Sequence, residues 1–231
     1  MVIAATALSR SPWRSARWLV LAPHADDETL GTGALIADTA ARNRLAGVMI
    51  LTDGSGSHPC PTPADRSALI RRRRGEARHA VALLTGGRRI VPQFLDWHDA
   101  NPHRPGSAAF RRSVRQLAIL LRRHAVDAIA TTAAGEPHCD HAACFTLAVH
   151  AAYAARRPVA IFEYAVWGER PAGKRVVRTA AMPTGRRSAA LRAHRSQLTG
   201  LMGDGFRLPR AQQRMPGTDL LYLANRYATR P

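Results

Sequence analysis

The sequence predicts an α/β domain: a mostly parallel sheet with helices packed on both faces. Three observations carry this. Short apolar runs recur along the chain, as strands buried on both faces require. Stretches with apolar residues at helical spacing separate them. No repeat, low-complexity tract or linker divides the chain, and 231 residues suit one domain with a core that needs no staples. The expected organisation is therefore one domain over residues 1–231, with residues 1–16 a poorly ordered lead-in or at most an edge element.

The elements follow in order. Residues 18–22, WLVLA, read as a buried strand ended by Pro23 and a loop holding His24, Asp26, Asp27 and Glu28. Apolar residues at helical spacing (Leu30, Ala34, Leu35, Ala37) predict a helix over 30–44. Residues 47–52 form a second strand, running into the glycine-rich loop after Asp53. Asp65 is expected to cap a long helix that Gly86 and Gly87 end. A third strand is expected over 89–95, where Pro92 indicates a sheet edge or a strand end. Asp96, Trp97, His98 and Asp99 follow it. Residues 107–124 read as an amphipathic helix and 127–132 as a fourth strand. A second loop rich in ligand-type residues, 135–141, opens a helix to about residue 155. Strands at 159–166 and 174–180, a single late helix over 186–201 and a short strand at 219–223 complete the prediction.

Composition narrows the function classes. The net charge of +18 invites a nucleic-acid reading. Yet every basic residue but Lys174 is Arg, these are spread over several predicted helices, and no aromatic residues interleave them to stack bases. No specific nucleic-acid partner is expected, though an acidic or phosphate-bearing substrate and anionic surfaces stay compatible with the charge. Cys60, Cys139 and Cys144 form no CxxC pair and cannot all be bridged, which favours a reducing compartment. No apolar run resembles a signal-peptide core or approaches the roughly 20 residues that span a bilayer. The expectation is a cytoplasmic protein without a transmembrane segment.

The chemistry gathers in two clusters. Each follows a predicted strand and precedes a helix, so in a parallel sheet both lie at the carboxyl edge, where such sheets hold ligands. Three carboxylates and an imidazole on the first loop repel one another unless something cationic sits among them. His24 and Asp27 can reach one ion, and His141 from the far loop supplies a third ligand. Three protein ligands leave a position for water, the pattern of a catalytic zinc site, where that water's pKa falls to about 7. A neighbouring carboxylate then serves as general base, and a second imidazole can stabilise an oxyanion. The bland alternative is a solvated acidic loop that caps a helix.

Pro23-His24-Ala25-Asp26-Asp27-Glu28, together with His138-Cys139-Asp140-His141, resembles the LmbE/PIG-L family of zinc-dependent deacetylases. Weaker similarities run through Leu51-Thr52-Asp53-Gly54, the Arg73…Glu76 spacing, Phe162-Glu163-Tyr164 and His194-Arg195-Ser196-Gln197. The resemblance implies a Rossmann-like sheet and removal of the acetyl group from N-acetylglucosamine-type sugars. Carried over by position, it implies that His24, Asp27 and His141 bind Zn2+ or another divalent metal. Asp26 would act as general base, His138 would steady the oxyanion, and Asp140 would tune His138. Arg73 and Asp99 would contact the amino-sugar conjugate. Ala25 and Cys139 stand where the family usually has proline, a matter of loop rigidity; Cys139 also brings a soft sulfur close to the site.

The remaining candidates have ordinary readings. His58, His79, His98, His103, His124 and His150 are expected at the surface or as satisfied core residues. His194 either packs the last helix or lines the pocket, and Asp53 either fixes its turn or touches substrate. Trp97 and Trp167 could stack on a sugar, with buried packing as the default. Two rival classes make different demands on the sequence. A dinucleotide-binding domain would want G-x-G-x-x-G directly after the first strand, whereas Gly31 and Gly33 come only after the acidic loop. A basic nucleic-acid-binding module retaining a metal site would show steeply salt-dependent binding.

Overall fold

The structure, a computed structural model, describes residues 4–224. In chain order the elements are β1 (Thr6–Ala7), β2 (Trp18–Ala22), α1 (Asp27–Ala41), β3 (Leu45–Thr52), α2 (Pro63–Thr85), β4 (Gln93–Trp97), α3 (Ala108–Arg123), β5 (Ala128–Thr132), α4 (Cys139–Ala154), β6 (Ala160–Tyr164), β7 (Val176–Arg178), α5 (Arg186–Ala193), α6 (Arg195–Leu198) and β8 (Leu220–Leu223). The strands form one sheet in the order β1-β7-β8-β6-β5-β2-β3-β4. Pairings are parallel except those of β8, which runs antiparallel to both β6 and β7.

Alternation along β2 builds two cores. Trp18 and Val20 join Leu35 of α1, Leu84 of α2 and Ala190 of α5 on one face. Leu19 and Leu21 join Leu117 and Leu121 of α3 and Leu147 of α4 on the other. A sheet covered this way needs strands that are apolar throughout, and every residue of β2 and β5 is buried. The α/β fold class is as expected. From β2 the chain moves to β3 and β4 on one side, and from β5 to β6 on the other. The strand order thus reverses between β2 and β5, and a crevice opens there at the carboxyl ends. Both ligand-rich loops leave these two strands.

Several boundaries differ from expectation. Of the expected lead-in, residues 1–3 lie outside the described residues; within 4–16, β1 pairs with β7 at the sheet edge, the edge element the sequence allowed, and Leu8 sits in the core. The cap of α2 is Thr62, and Asp65 returns the bond from the third helical position as the other half of a capping box. The third strand starts after Pro92, at the sheet edge, and includes Trp97. The late helix is two helices, α5 and α6, broken at His194, whose backbone (φ −80°, ψ 58°) is not helical. Gly31 and Gly33 fall inside α1, where they admit close neighbours: a Cβ would lie 2.1 Å from the Tyr164 ring at Gly31 and 2.8 Å from Arg187 at Gly33. They serve packing, not a phosphate cradle.

Candidate metal centre

The β2–α1 loop turns sharply at Asp26, a non-glycine residue at φ 142°. Such strain persists only where the surroundings over-determine it. Here Glu28 does so. Its buried carboxylate accepts the Asp26 backbone N–H (2.9 Å) and the Thr29 hydroxyl (2.7 Å), and it faces His194 Nε2 at 3.0 Å. The break between α5 and α6 lets His194 reach it. Glu28 therefore holds the loop's shape, and His194 is a buried polar partner; neither lines the cavity described below.

Asp27, in the first turn of α1, points at both histidines. Its Oδ2 lies 3.1 Å from His24 Nδ1 and 3.3 Å from His141 Nε2. The other nitrogen of each ring faces carboxylates. His24 Nε2 is 3.1 Å from Asp140 Oδ2 and 3.2 Å from Asp99 Oδ1, while His141 Nδ1 is 3.2 Å from Glu136 Oε2. Metal-binding histidines are typically oriented in this way, by a carboxylate on the second nitrogen.

Among the described residues, the buried His141 Nε2 has no hydrogen-bond partner, an orphan that requires an explanation. A tetrahedral ion with bonds near 2.0–2.1 Å has ligand–ligand edges of about 3.3–3.4 Å. The Asp27 Oδ2 to His141 Nε2 spacing of 3.3 Å matches such an edge. His24, Asp27 and His141 thus form a group able to hold a metal, and two imidazole nitrogens with one carboxylate oxygen suit zinc. A second group, His24, Asp99, His138 and Asp140, shares His24. Cys139 belongs to neither group and its side chain is exposed.

Electrostatics point the same way. Burial works against charge on His24, but hydrogen bonds to Asp140, Asp27 and Asp99 carry its pKa well above the usual imidazole value. Burial opposes charge on His141 too, and Asp27 overrides it, pushing the pKa up to about 9. Against its own burial, Asp27 is held far below the carboxylate range by His141 and His24. The carboxylates thus favour positive charge at this point, which a divalent ion supplies while leaving the ligand nitrogens unprotonated. Asp26 goes the opposite way: burial, then the charge of Asp27, push its carboxyl up to about 7. A group poised near neutral pH is suited to moving protons.

The other expected residues gather round. His138 caps α4, its Nδ1 accepting the Asp140 N–H at 3.2 Å. With Nδ1 an acceptor, Nε2 carries the proton and is a donor. Asp140 Oδ2 stands 3.9 Å from His138 Nδ1 but 3.1 Å from His24, and accepts the Ala100 N–H at 2.8 Å. Its shorter side-chain contact is therefore with His24. Arg73 donates to the carbonyl oxygens of Ala25 (2.9 Å) and Gly54 (3.2 Å), between Asp26 at 3.9 Å and Asp99 at 3.7 Å. Asp53 fixes its turn by accepting the Ser55 and Asp99 N–H groups. Trp97 is buried and donates to Ser113, whereas Trp167 lines the cavity above the histidines. Sequence reasoning missed the role of Glu136. It stands within the second cluster, but nothing local shows that its chain would turn back to His141.

Sequence comparison agrees with this geometry. The family model described as PIG-L, GlcNAc-PI de-N-acetylase, matches residues 19–152, more than half of the chain. The chain belongs to the PIG-L family. The matched span includes both ligand-rich loops. No curated protein matches the chain. Solved structures do. The N,N'-diacetylchitobiose deacetylase from Pyrococcus horikoshii is 22% identical, with TM-score 0.63, over 82% of this chain and 74% of that one. The conserved protein TT1542 from Thermus thermophilus is 26% identical, with TM-score 0.56, over 79% and 80%. GalB, the 4-carboxy-2-hydroxymuconate hydratase from Pseudomonas putida, is 16% identical, with TM-score 0.55, over 92% and 98%. At their identities the deacetylase and the hydratase establish the PIG-L-type fold alone. The reaction must be argued from the site.

Proposed function

We propose that the protein is a divalent-metal hydrolase that removes an N-acyl group, acetyl foremost, from an amino-sugar conjugate. The observation that carries this is the buried His141 Nε2, without a hydrogen bond among the described residues and 3.3 Å from Asp27 Oδ2, beside His24 and with Asp26 adjacent and raised to about 7. His24, Asp27 and His141 would hold the ion, zinc by the chemistry of its donors. When bound, it would acidify a water and polarise the acyl carbonyl.

The protein's own groups do the rest. Asp26 accepts the proton of the attacking water as its oxygen bonds to the amide carbon. His138 Nε2–H donates to the developing oxyanion. As the C–N bond breaks, Asp26 returns the proton to the nitrogen, giving a carboxylic acid and an amine; the acid's proton then passes to the amine, leaving a carboxylate and an ammonium group. Arg73 keeps Asp26 and Asp99 in place and contributes to binding with Asp99, while Asp140 and Glu136 orient the two histidines.

Mass spectrometry of the zinc-loaded protein with a panel of N-acetylglucosaminides tests the reading. Loss of one acetyl group from one substrate class is expected, and release is expected to stop in Asp26→Asn. Full deacetylation by Asp26→Asn would remove the role assigned to that residue. An addition of water across a double bond, with no amide cleaved, would favour hydratase chemistry on the same fold.

A further inference from the structure

The cavity over the donor set holds about 490 Å³, room for a sugar and part of the group attached to it. Asp26, Asp27 and Asp99 line its floor beside His24 and His138. Among the described residues, Arg73 is the one guanidinium in its lining. It is 3% exposed; its two terminal nitrogens donate to backbone carbonyls between two carboxylates, and only its Nε lacks a partner among the described residues. Arg207, next in the chain to Phe206, is not among the lining residues and donates to the Gly203 carbonyl. Among the described residues, the chain's large positive charge therefore reaches the cavity lining as one guanidinium whose terminal nitrogens are already bonded, not as the free fork that bidentate recognition of a phosphate calls for.

The mouth is aromatic. Trp167 and Phe206 meet edge to face, with centroids 6.0 Å apart and planes at 87°, and both line the cavity. Phe206 remains 38% exposed. Its N–H donates to the Ser57 carbonyl, and the Leu208 N–H to that of Gln197, both at 2.8 Å, so residues 206–208 strap across the opening. At Gly205 a Cβ would fall 2.4 Å from the His58 ring, so only glycine allows this approach. Trp167 is tied from the other side: Glu136 accepts its N–H at 3.0 Å and that of Val166 at 2.6 Å.

Gln197 supplies a third feature. The Ser196 hydroxyl donates to Glu76 at 2.6 Å, so it can only accept from Gln197 Nε2 at 3.0 Å. That fixes the amide and leaves Oε1 buried without a partner, on a side chain that lines the cavity and is 1% exposed. A carbonyl oxygen accepts from a hydroxyl or an amide N–H and repels a phosphate oxygen.

We propose that the substrate is an uncharged N-acyl amino-sugar glycoside whose aglycone presents a flat apolar face to Trp167 and Phe206, and that phosphate-linked amino sugars are rejected. This rests on the deacetylase reading and narrows it. The test is equilibrium binding, by calorimetry on the zinc-loaded protein, of 4-nitrophenyl glucosaminide, glucosamine and glucosamine 1-phosphate, with turnover of their N-acetyl forms measured in parallel. The aryl glycoside is expected to bind about tenfold more tightly than the free sugar, and the phosphate ester more weakly than either. Trp167→Ala and, on the exposed ring, Phe206→Ala should each weaken aryl binding at least about fivefold more than free-sugar binding. Equal or tighter binding of the phosphate ester overturns the proposal. So does an aryl preference that survives both substitutions, or a failure of all three ligands to bind. If the aryl ligand binds as expected but its N-acetyl form is not cleaved, the hydrolase reading falls and the assignment of the cavity stands.

Discussion

At the scale of single residues, the site depends on carboxylates that never touch a substrate. Glu136 meets the buried His141 at Nδ1 while accepting two backbone N–H groups. Those bonds, working against its burial, hold its pKa below the usual value. Glu136→Gln is expected to weaken metal retention about 10–100-fold, read by competition against a chelator. Unchanged affinity would show that His141 needs no such partner. Cys144 illustrates the opposite effect of burial. Its thiol is pushed up from 9.0 to about 12, so at pH 8 only about one in 10⁴ is thiolate. The folded state holds this proton more tightly than the unfolded chain does. The associated stability is therefore intact below pH 9 and is lost as pH rises toward 12. In the native protein at pH 8, iodoacetamide should label Cys139, which is exposed, and spare Cys144; peptide mapping that finds both alkylated alike would contradict this.

At the scale of elements, α1 shows how a local irregularity serves the whole. Thr32 leaves helical geometry (φ −135°), its hydroxyl bonding back to the Glu28 carbonyl at 2.8 Å. Further along, the Leu35 N–H finds Asp219 Oδ2 at 2.8 Å. Gly31 sits at this bend against the buried ring of Tyr164. Gly31→Ala should cost about 1–3 kcal/mol of stability through overpacking, measured by urea unfolding; a neutral result would mean the ring can move aside. Most elements were legible in the sequence because apolar runs and helical spacing coincide with burial on both faces. The break at His194 was not, since its cause lies far along the chain at Glu28. Nor was the capping box of α2, where Asp65 is as good a capping residue in isolation as Thr62.

At the scale of the molecule, strand order does the organising. His24 and His141 are brought together because β2 and β5 are neighbours at the point where the sheet reverses. The two clusters could be read from residue types and positions after strands, and so could their meeting at one edge. Asp140's closer approach to His24 than to His138, and the aromatic mouth from Phe206, could not, because both depend on side-chain directions that topology does not fix. The far end of the sheet is anchored by Asp219, just before β8. It pairs with Arg187 of α5 and, as noted, bonds to α1. Removing one partner of a buried pair strands the other charge, so Arg187→Ala should destabilise by about 3–5 kcal/mol, seen as a lower urea midpoint.

The convergence of two distant loops on one ion is tested most directly by counting ions. Chelator-stripped protein reloaded with zinc, then dialysed and measured by elemental mass spectrometry, should retain one ion per chain, as should Asp26→Asn. His24→Ala and His141→Ala should each lose it. Tight, stoichiometric zinc in both histidine variants would contradict the account.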